Sequence, residues 1–162
     1  MLKNNFISIL ITNYNKEFFL KKSLKSVCKQ NFKNYEIILY DDCSTDNSLK
    51  IIKKFKKIKL IRNFKKNKSK SGPHNQITGI LEAFKKSKGN IICLMDSDDY
   101  FTKNKLFIID KIFKKKKFFN CIFNFPKSNK TQFKFRDKKS NFSIWPTIFP
   151  TSCMSFRRSF FL

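Results

Sequence analysis

Six of the chain's 11 acidic residues fall in two short stretches of an otherwise basic sequence: Asp41, Asp42 and Asp46, then Asp96, Asp98 and Asp99. Asp96 and Asp98 are two apart, so with Asp99 they can aim several carboxylate oxygens at one point. Hard divalent cations such as Mg²⁺ or Mn²⁺ take oxygen ligands and often share them with a substrate's phosphates. A plainer alternative is a polar strand-to-helix loop in which an aspartate caps the helix. Just before Asp96, residues 91–95 (IICLM) are continuously apolar. Such a run fits a strand buried on both faces of a parallel sheet. It would deliver its aspartates to the crevice at the strand's carboxyl end, where open α/β sheets bind ligands.

The elements that must position these acids are readable from periodicity. Residues 6–11 form a first buried strand, followed by the polar loop Thr12-Asn13-Tyr14-Asn15. Leu20, Leu24, Val27 and Cys28 recur on one helix face. Residues 36–40 make a second strand that ends in Asp41-Asp42. Residues 43–48 are rich in turn and N-cap types, and the next helix turns Leu49, Ile52 and Phe55 inward. Residues 58–61 form a third strand. Pro73 sits near the start of another helix, where proline is tolerated. Ile77, Ile80, Leu81 and Phe84 give that helix its apolar face, and Gly89 its C′ position. Leu106, Ile109 and Phe113 mark a helix after the acid-tipped strand, closed by the lysines at 114–117. Beyond residue 118 the pattern weakens. Residues 121–125, 132–135 and 152–156 read as short strands, and Trp145-Pro146 and Phe149-Pro150 as turns. Strand and helix alternate through residue 113. This predicts an α/β fold with a mostly parallel, doubly wound, Rossmann-like sheet and helices on both faces. Residues 1–162 are expected to form a single domain.

Composition says less about the partner. The chain has 162 residues, enough for one sizeable core. Its 36 Lys+Arg against 11 Asp+Glu give a net charge of +25. That balance suggests nucleic acid, an anionic membrane surface or phosphorylated substrates. Lys, Phe, Ile and Asn all have A/T-rich codons, so base composition competes as an explanation. The run of ten basic residues between Lys53 and Lys70 reads chiefly as a solvated face. The five cysteines are odd in number and contain no CxxC, which argues against a disulfide framework or a zinc site. They are expected as free thiols in a reducing compartment. No stretch approaches the roughly 18 apolar residues of a membrane span, and the start lacks a signal-peptide core. A cytoplasmic protein is expected, with peripheral contact at the inner face of the membrane left open.

Three motifs stand in order after their strands: Thr12-Asn13-Tyr14-Asn15, Asp41-Asp42-Cys43-Ser44-Thr45-Asp46 and Asp96-Ser97-Asp98-Asp99. Together they resemble the family 2 glycosyltransferases of the GT-A fold, over residues 6–113. The resemblance implies a role for each matching position. Thr12 and Tyr14 would wall the donor's nucleotide base, and Asp42 would accept a hydrogen bond from it. A pyrimidine imide N–H suits that carboxylate, which favours UDP or dTDP sugars. Asp96 would face the ribose and metal-bound water, and Asp98 would ligate Mg²⁺ or Mn²⁺ directly. Asp99 would cap the next helix or steady the loop. Asn75 matches an Arg-Asn pair that opens the helix before the third motif, whereas His74 departs from it. Cys43 stands where the family often has Gly, which is expected to hold that turn to ordinary φ values.

The resemblance implies transfer of a sugar, with inversion, from a nucleotide-sugar donor to a saccharide or lipid-linked acceptor in cell-surface polysaccharide synthesis. No nucleic-acid partner is expected. A general base for the acceptor hydroxyl is not matched, since only Asp110 and Asp137 follow Asp99. Residues 118–162 are therefore read as an incomplete start of the acceptor-side part, with the chain truncated. Two rivals remain. A basic module for nucleic acid or anionic membrane explains the charge but not the acidic loops. A metal-dependent nucleotidyltransferase shares the nucleotide and the metal and differs in acceptor.

Overall fold

The structure is a computed structural model and describes residues 5–64, 71–115, 120–123 and 151–160. Among these residues six strands form one sheet: β1 (Ile7–Asn13), β2 (Tyr35–Asp41), β3 (Ile58–Arg62), β4 (Ile91–Asp96), β5 (Cys121–Phe123) and β6 (Met154–Arg157). Their order is β3-β2-β1-β4-β6-β5. The first four are mutually parallel, while β6 runs antiparallel to β4 and to β5. Helices α1 (Glu17–Cys28), α2 (Ser48–Ile52), α3 (Gly72–Lys86) and α4 (Lys105–Lys115) cover the faces. The mostly parallel α/β architecture expected from the alternation is the one observed.

Burial on both faces explains the apolar runs. Ile7, Ile9 and Ile11 of β1 join Ile91, Cys93 and Met95 of β4 in a core shared with α1, α2 and α4. Leu10, Ile92 and Leu94 face α3 instead. Each aliphatic side chain buried this way contributes about 1.5–3 kcal/mol. A polar residue in such a strand needs partners, and fully buried Ser8 has them: its hydroxyl donates to Glu36 Oε1 (2.7 Å) and accepts from Gly89 N–H (2.8 Å).

Strand order creates the functional geography. The chain steps outward from β1 to β2 to β3, then returns to place β4 on the other side of β1. With right-handed crossovers, that reversal puts α3 on the opposite face from α1 and α2. It also opens a crevice between the carboxyl ends of β1 and β4, the switch point at which such sheets bind ligands.

Several local expectations are corrected. Ile77 and Leu81 of α3 are 58% and 40% exposed; the buried face is Gly79, Ile80, Ala83 and Phe84. Small residues face inward because the helix lies against the sheet: a Cβ on Gly79 would come within 2.7 Å of the Tyr40 ring and 2.9 Å of the Thr12 methyl. Gly89 is not a C′ residue. The helix ends at Lys86 with an extended Ser87, and no described glycine has positive φ. Glycine is needed at 89 because a Cβ there would lie 2.5 Å from Ser8 N. Cys43 does not hold ordinary dihedrals; its φ is 61°. Helix α2 is one short turn that stops before Phe55, which packs on the core from outside it. The lysines at 65–70, Lys116 and Lys117, residues 124–125, the expected strand at 132–135, Asp137 and the expected turns at Trp145-Pro146 and Phe149-Pro150 lie outside the described residues.

Candidate functional site

A cleft of about 560 Å³ opens at the switch point, within the size range of small-molecule sites. Thr12, Tyr14, Asp42, Asn75, Asp96 and Asp98, the six residues singled out from sequence, all line it. Thr12 is the penultimate residue of β1, with its methyl against α3, and Tyr14 is 45% exposed at the rim. Asp42 Oδ1 accepts a hydrogen bond from Asn63 Nδ2 (2.9 Å). Asn75 stands in the first turn of α3, and its Oδ1 is buried without a hydrogen-bond partner. His74 is exposed and is not among the lining residues.

The two loops on the β1–β2 side are tied to each other. Fully buried Asp41 accepts from Asn13 Nδ2 (2.8 Å), Ser44 N–H (3.0 Å) and Ser44 Oγ (2.7 Å). Asn15, itself at φ 50°, accepts from Thr45 N–H (2.8 Å), and its own N–H donates to Ser44 Oγ (3.0 Å). Asp46 caps two helices at once: Oδ1 accepts from Ser48 N–H (2.9 Å) and Oδ2 from Glu17 N–H (3.0 Å). Burial tends to raise the Asp46 pKa, but the donors from Ser48 and Glu17 outweigh it and hold the carboxyl below its ordinary value. Glu17 returns the contact by accepting from Asn47 N–H (2.7 Å). The left-handed residues Asn15 and Cys43 are sustained by this network, as strained dihedrals must be.

The acid turn after β4 is held differently. Asp96 Oδ1 accepts from Gln76 Nε2 (2.6 Å), which also reaches Thr151 Oγ1 (3.3 Å). Asp96 N–H donates to Ser152 Oγ (2.8 Å), and Lys105 Nζ donates to the Ser152 carbonyl (2.5 Å) while lying 3.9 Å from the centre of the Phe101 ring. Burial, and then the charges of Asp99 and Asp98, push Asp96 up to about 6. Asp98 is paired with Lys16 Nζ at 2.7 Å. Asp99 donates its backbone N–H to the Asp96 carbonyl (3.1 Å), which steadies the turn. Asp110 is distant from this chemistry: it is buried, accepts from Asn5 Nδ2 (2.9 Å) and pairs with Lys114 (2.9 Å).

Sequence reading missed Lys16, Tyr40, Gln76, Thr151, Ser152 and Lys105. Gln76 was within reach, one residue from Asn75. Thr151 and Ser152 carried no local signal, because 55 residues separate Asp96 from Thr151 and only β6 brings them together. Among the described residues no group of three or more His, Cys, Asp or Glu is arranged to hold a metal ion. The acid turn offers hard oxygen donors whose negative charge Lys16 compensates only in part, which suits a divalent cation whose remaining ligands come from phosphates. No helix of the described residues is long and apolar enough to cross a membrane.

Comparison with known proteins places the fold and the cleft in context. The profile of Glycosyl transferase family 2 matches residues 8–161. Poly(ribitol-phosphate) beta-N-acetylglucosaminyltransferase TarS of Staphylococcus aureus is 33% identical over 61% of this chain and 17% of its own length. The Escherichia coli UDP-Glc:alpha-D-GlcNAc-diphosphoundecaprenol beta-1,3-glucosyltransferase WfaP is 37% identical over 62% of this chain and 38% of its own length. This chain therefore spans well under half the length of either relative. The crystal structure of S. aureus TarS 1–349 superposes with a TM-score of 0.72 over 94% of this chain and 47% of that one, at 21% identity, which speaks to the fold. The same fragment in complex with UDP-GlcNAc gives a TM-score of 0.59 at 28% identity, over 68% of this chain and 31% of that one. A profile match running nearly from end to end, on a GT-A sheet whose switch point carries the acid turn, means that this chain belongs to glycosyl transferase family 2.

Proposed function

We propose that this chain is the nucleotide-sugar-binding part of a glycosyltransferase that moves a sugar from a UDP or dTDP donor to an acceptor hydroxyl, with inversion. The observation that carries the reading is convergence: three motifs spread over residues 12–98 line one cleft at the switch point. Residues 6–113 supply the donor side, and residues 118–162 belong to the acceptor side. Thr12 and Tyr14 wall the base, and Asp42 accepts its imide N–H. Asn75, whose Oδ1 is buried and unpartnered, offers an acceptor at the mouth of α3. Asp96 faces the ribose, and Asp98 holds Mg²⁺ or Mn²⁺. That cation, when bound, neutralises the charge developing on the leaving diphosphate as a Lewis acid. Gln76 and Ser152 orient Asp96 for its part.

Two relatives support the donor class and the setting. TarS has been crystallised with UDP-GlcNAc, and WfaP is named for UDP-glucose and a diphosphoundecaprenol-linked acceptor. The reading extends to a saccharide or lipid-linked acceptor in cell-surface polysaccharide synthesis, with the enzyme cytoplasmic at the inner face of the membrane. Calorimetry with UDP, dTDP, GDP and ADP, with and without Mn²⁺, tests the reading. Pyrimidine diphosphates should bind best and only with the cation. Asp42→Asn should weaken them selectively by about 1–3 kcal/mol, the cost of a buried unpaired partner. Equal binding of all four nucleotides in the presence of chelator would overturn the assignment.

A further inference from the structure

We infer that Lys16 is the resident counter-ion of Asp98, that a divalent cation must displace it, and that the freed ammonium then pairs with the donor's diphosphate; this rests on the donor-binding reading above. Lys16 Nζ lies 2.7 Å from Asp98 Oδ2, and both residues line the cleft. Among the described lining residues Lys16 is the one cation, in a lining that also holds Asp42, Asp96 and Asp98.

Its position in the chain is locally unfavourable. Lys16 is the N-cap of α1 and makes no side-chain cap hydrogen bond. Ser, Thr, Asp or Asn is preferred there, and a cation opposes the positive end of the helix dipole. The capping task is carried by another loop, since Asp46 Oδ2 accepts the Glu17 N–H at 3.0 Å. Position 16 is thereby released from helix duty, and its side chain is spent on the acid turn.

The pair is built to open. Its side chains are 42% and 38% exposed, and ion pairs this exposed hold weakly. A divalent cation outcompetes a monovalent ammonium for a carboxylate flanked by Asp96 and Asp99, whose charges already strain the turn. With Asp98 given over to a cation, Lys16 would be left without its 2.7 Å partner while still lining the cleft, free to pair with a diphosphate there.

The test is a pair of titrations on the full chain, wild type against Lys16→Met, with thermal melts confirming that both are folded. Mn²⁺ alone, followed by loss of the free-ion paramagnetic resonance signal, should bind Lys16→Met roughly two- to fivefold tighter, the worth of an exposed ion pair. UDP at saturating Mn²⁺ should bind the variant roughly tenfold weaker or more, the loss expected for a charge-assisted hydrogen bond. Uridine, which lacks the phosphates, should bind both proteins equally. Lys16→Arg should restore UDP binding. Mn²⁺ affinities that are equal, or too weak to detect in both proteins, would overturn the exchange, as would weakening of uridine in parallel with UDP. Wild type that binds no UDP under any condition would remove the donor reading, and this inference with it.

Discussion

The two sides of the cleft solve the same problem in opposite ways. On the β1–β2 side, Asp41 and Asp46 are surrounded by N–H and O–H donors, and every carboxylate oxygen of the pair is used. On the β4 side, Asp96, Asp98 and Asp99 crowd one another, and burial with mutual repulsion lifts Asp96 to about 6. The first side uses Asp41 and Asp46 as architecture, holding two loops and two helix ends together. The second keeps its acids in electrostatic debt, relieved in part by Gln76 and Lys16. A satisfied carboxylate stabilises the fold, and an unsatisfied one draws a ligand; residue type alone does not say which is which.

Substitutions on the two sides should therefore differ in size and in sign. Asp41→Ala should be the most damaging, because it removes the shared acceptor of Asn13 Nδ2, Ser44 N–H and Ser44 Oγ. A loss of about 3 kcal/mol or more in urea denaturation is expected from leaving buried donors unpaired. A loss below that of an ordinary surface change would mean the loops are not interlocked through Asp41.

Asp46→Asn should cost about 1 kcal/mol, the worth of a helix cap, and should also change the pH dependence. Since the folded Asp46 pKa lies below its ordinary 3.8, its contribution is present above that value. It is lost as pH falls through the lower, folded pKa. Acid unfolding should be less steep in the variant, and identical acid transitions would remove Asp46 from the latch.

Asp96→Asn sharpens the contrast from the other side. Asn keeps an oxygen for Gln76 while removing a charge that the fold tolerates poorly. Without a divalent cation, thermal stability should be unchanged or higher by up to about 1 kcal/mol, the gain from relieving a partly solvated repulsion. Destabilisation as large as that of Asp41→Ala would erase the distinction between the two sides.

Cys43→Gly should have the smallest effect. Glycine relieves a left-handed φ of 61°, although its greater freedom in the unfolded chain offsets part of the gain. A net stabilisation of roughly 0.5 kcal/mol is expected, read as a small rise in melting temperature. A loss would show that the Cys43 side chain, and not the turn alone, supports the loop.

Much of this protein was written in its local sequence. Apolar-rich runs marked β1, β2 and β4, continuous in β4 and broken only by Ser8 in β1 and Glu36 in β2, because a strand buried on both faces has no polar side to alternate with. The three motifs follow those strands directly, so their placement at the carboxyl end needed only the parallel alternation to be right. Helix α3 was legible as a helix but not in its facing. Gly79 and Ala83 point inward for the sake of close approach, and hydropathy is blind to that. Cys43 was misjudged because the Asp41–Ser44 bonds that bracket it are themselves held by the partner loop, through Asn13 and Asn15 to Ser44 Oγ. Tertiary structure alone decided the rest. Ser152 reaches Asp96 only because β6 lies antiparallel beside β4, and Lys16 reaches Asp98 only because β1 and β4 are adjacent at the switch point. Local propensity acts between near neighbours along the chain, whereas a carboxylate's charge is balanced by whatever the fold brings within a few ångströms of it.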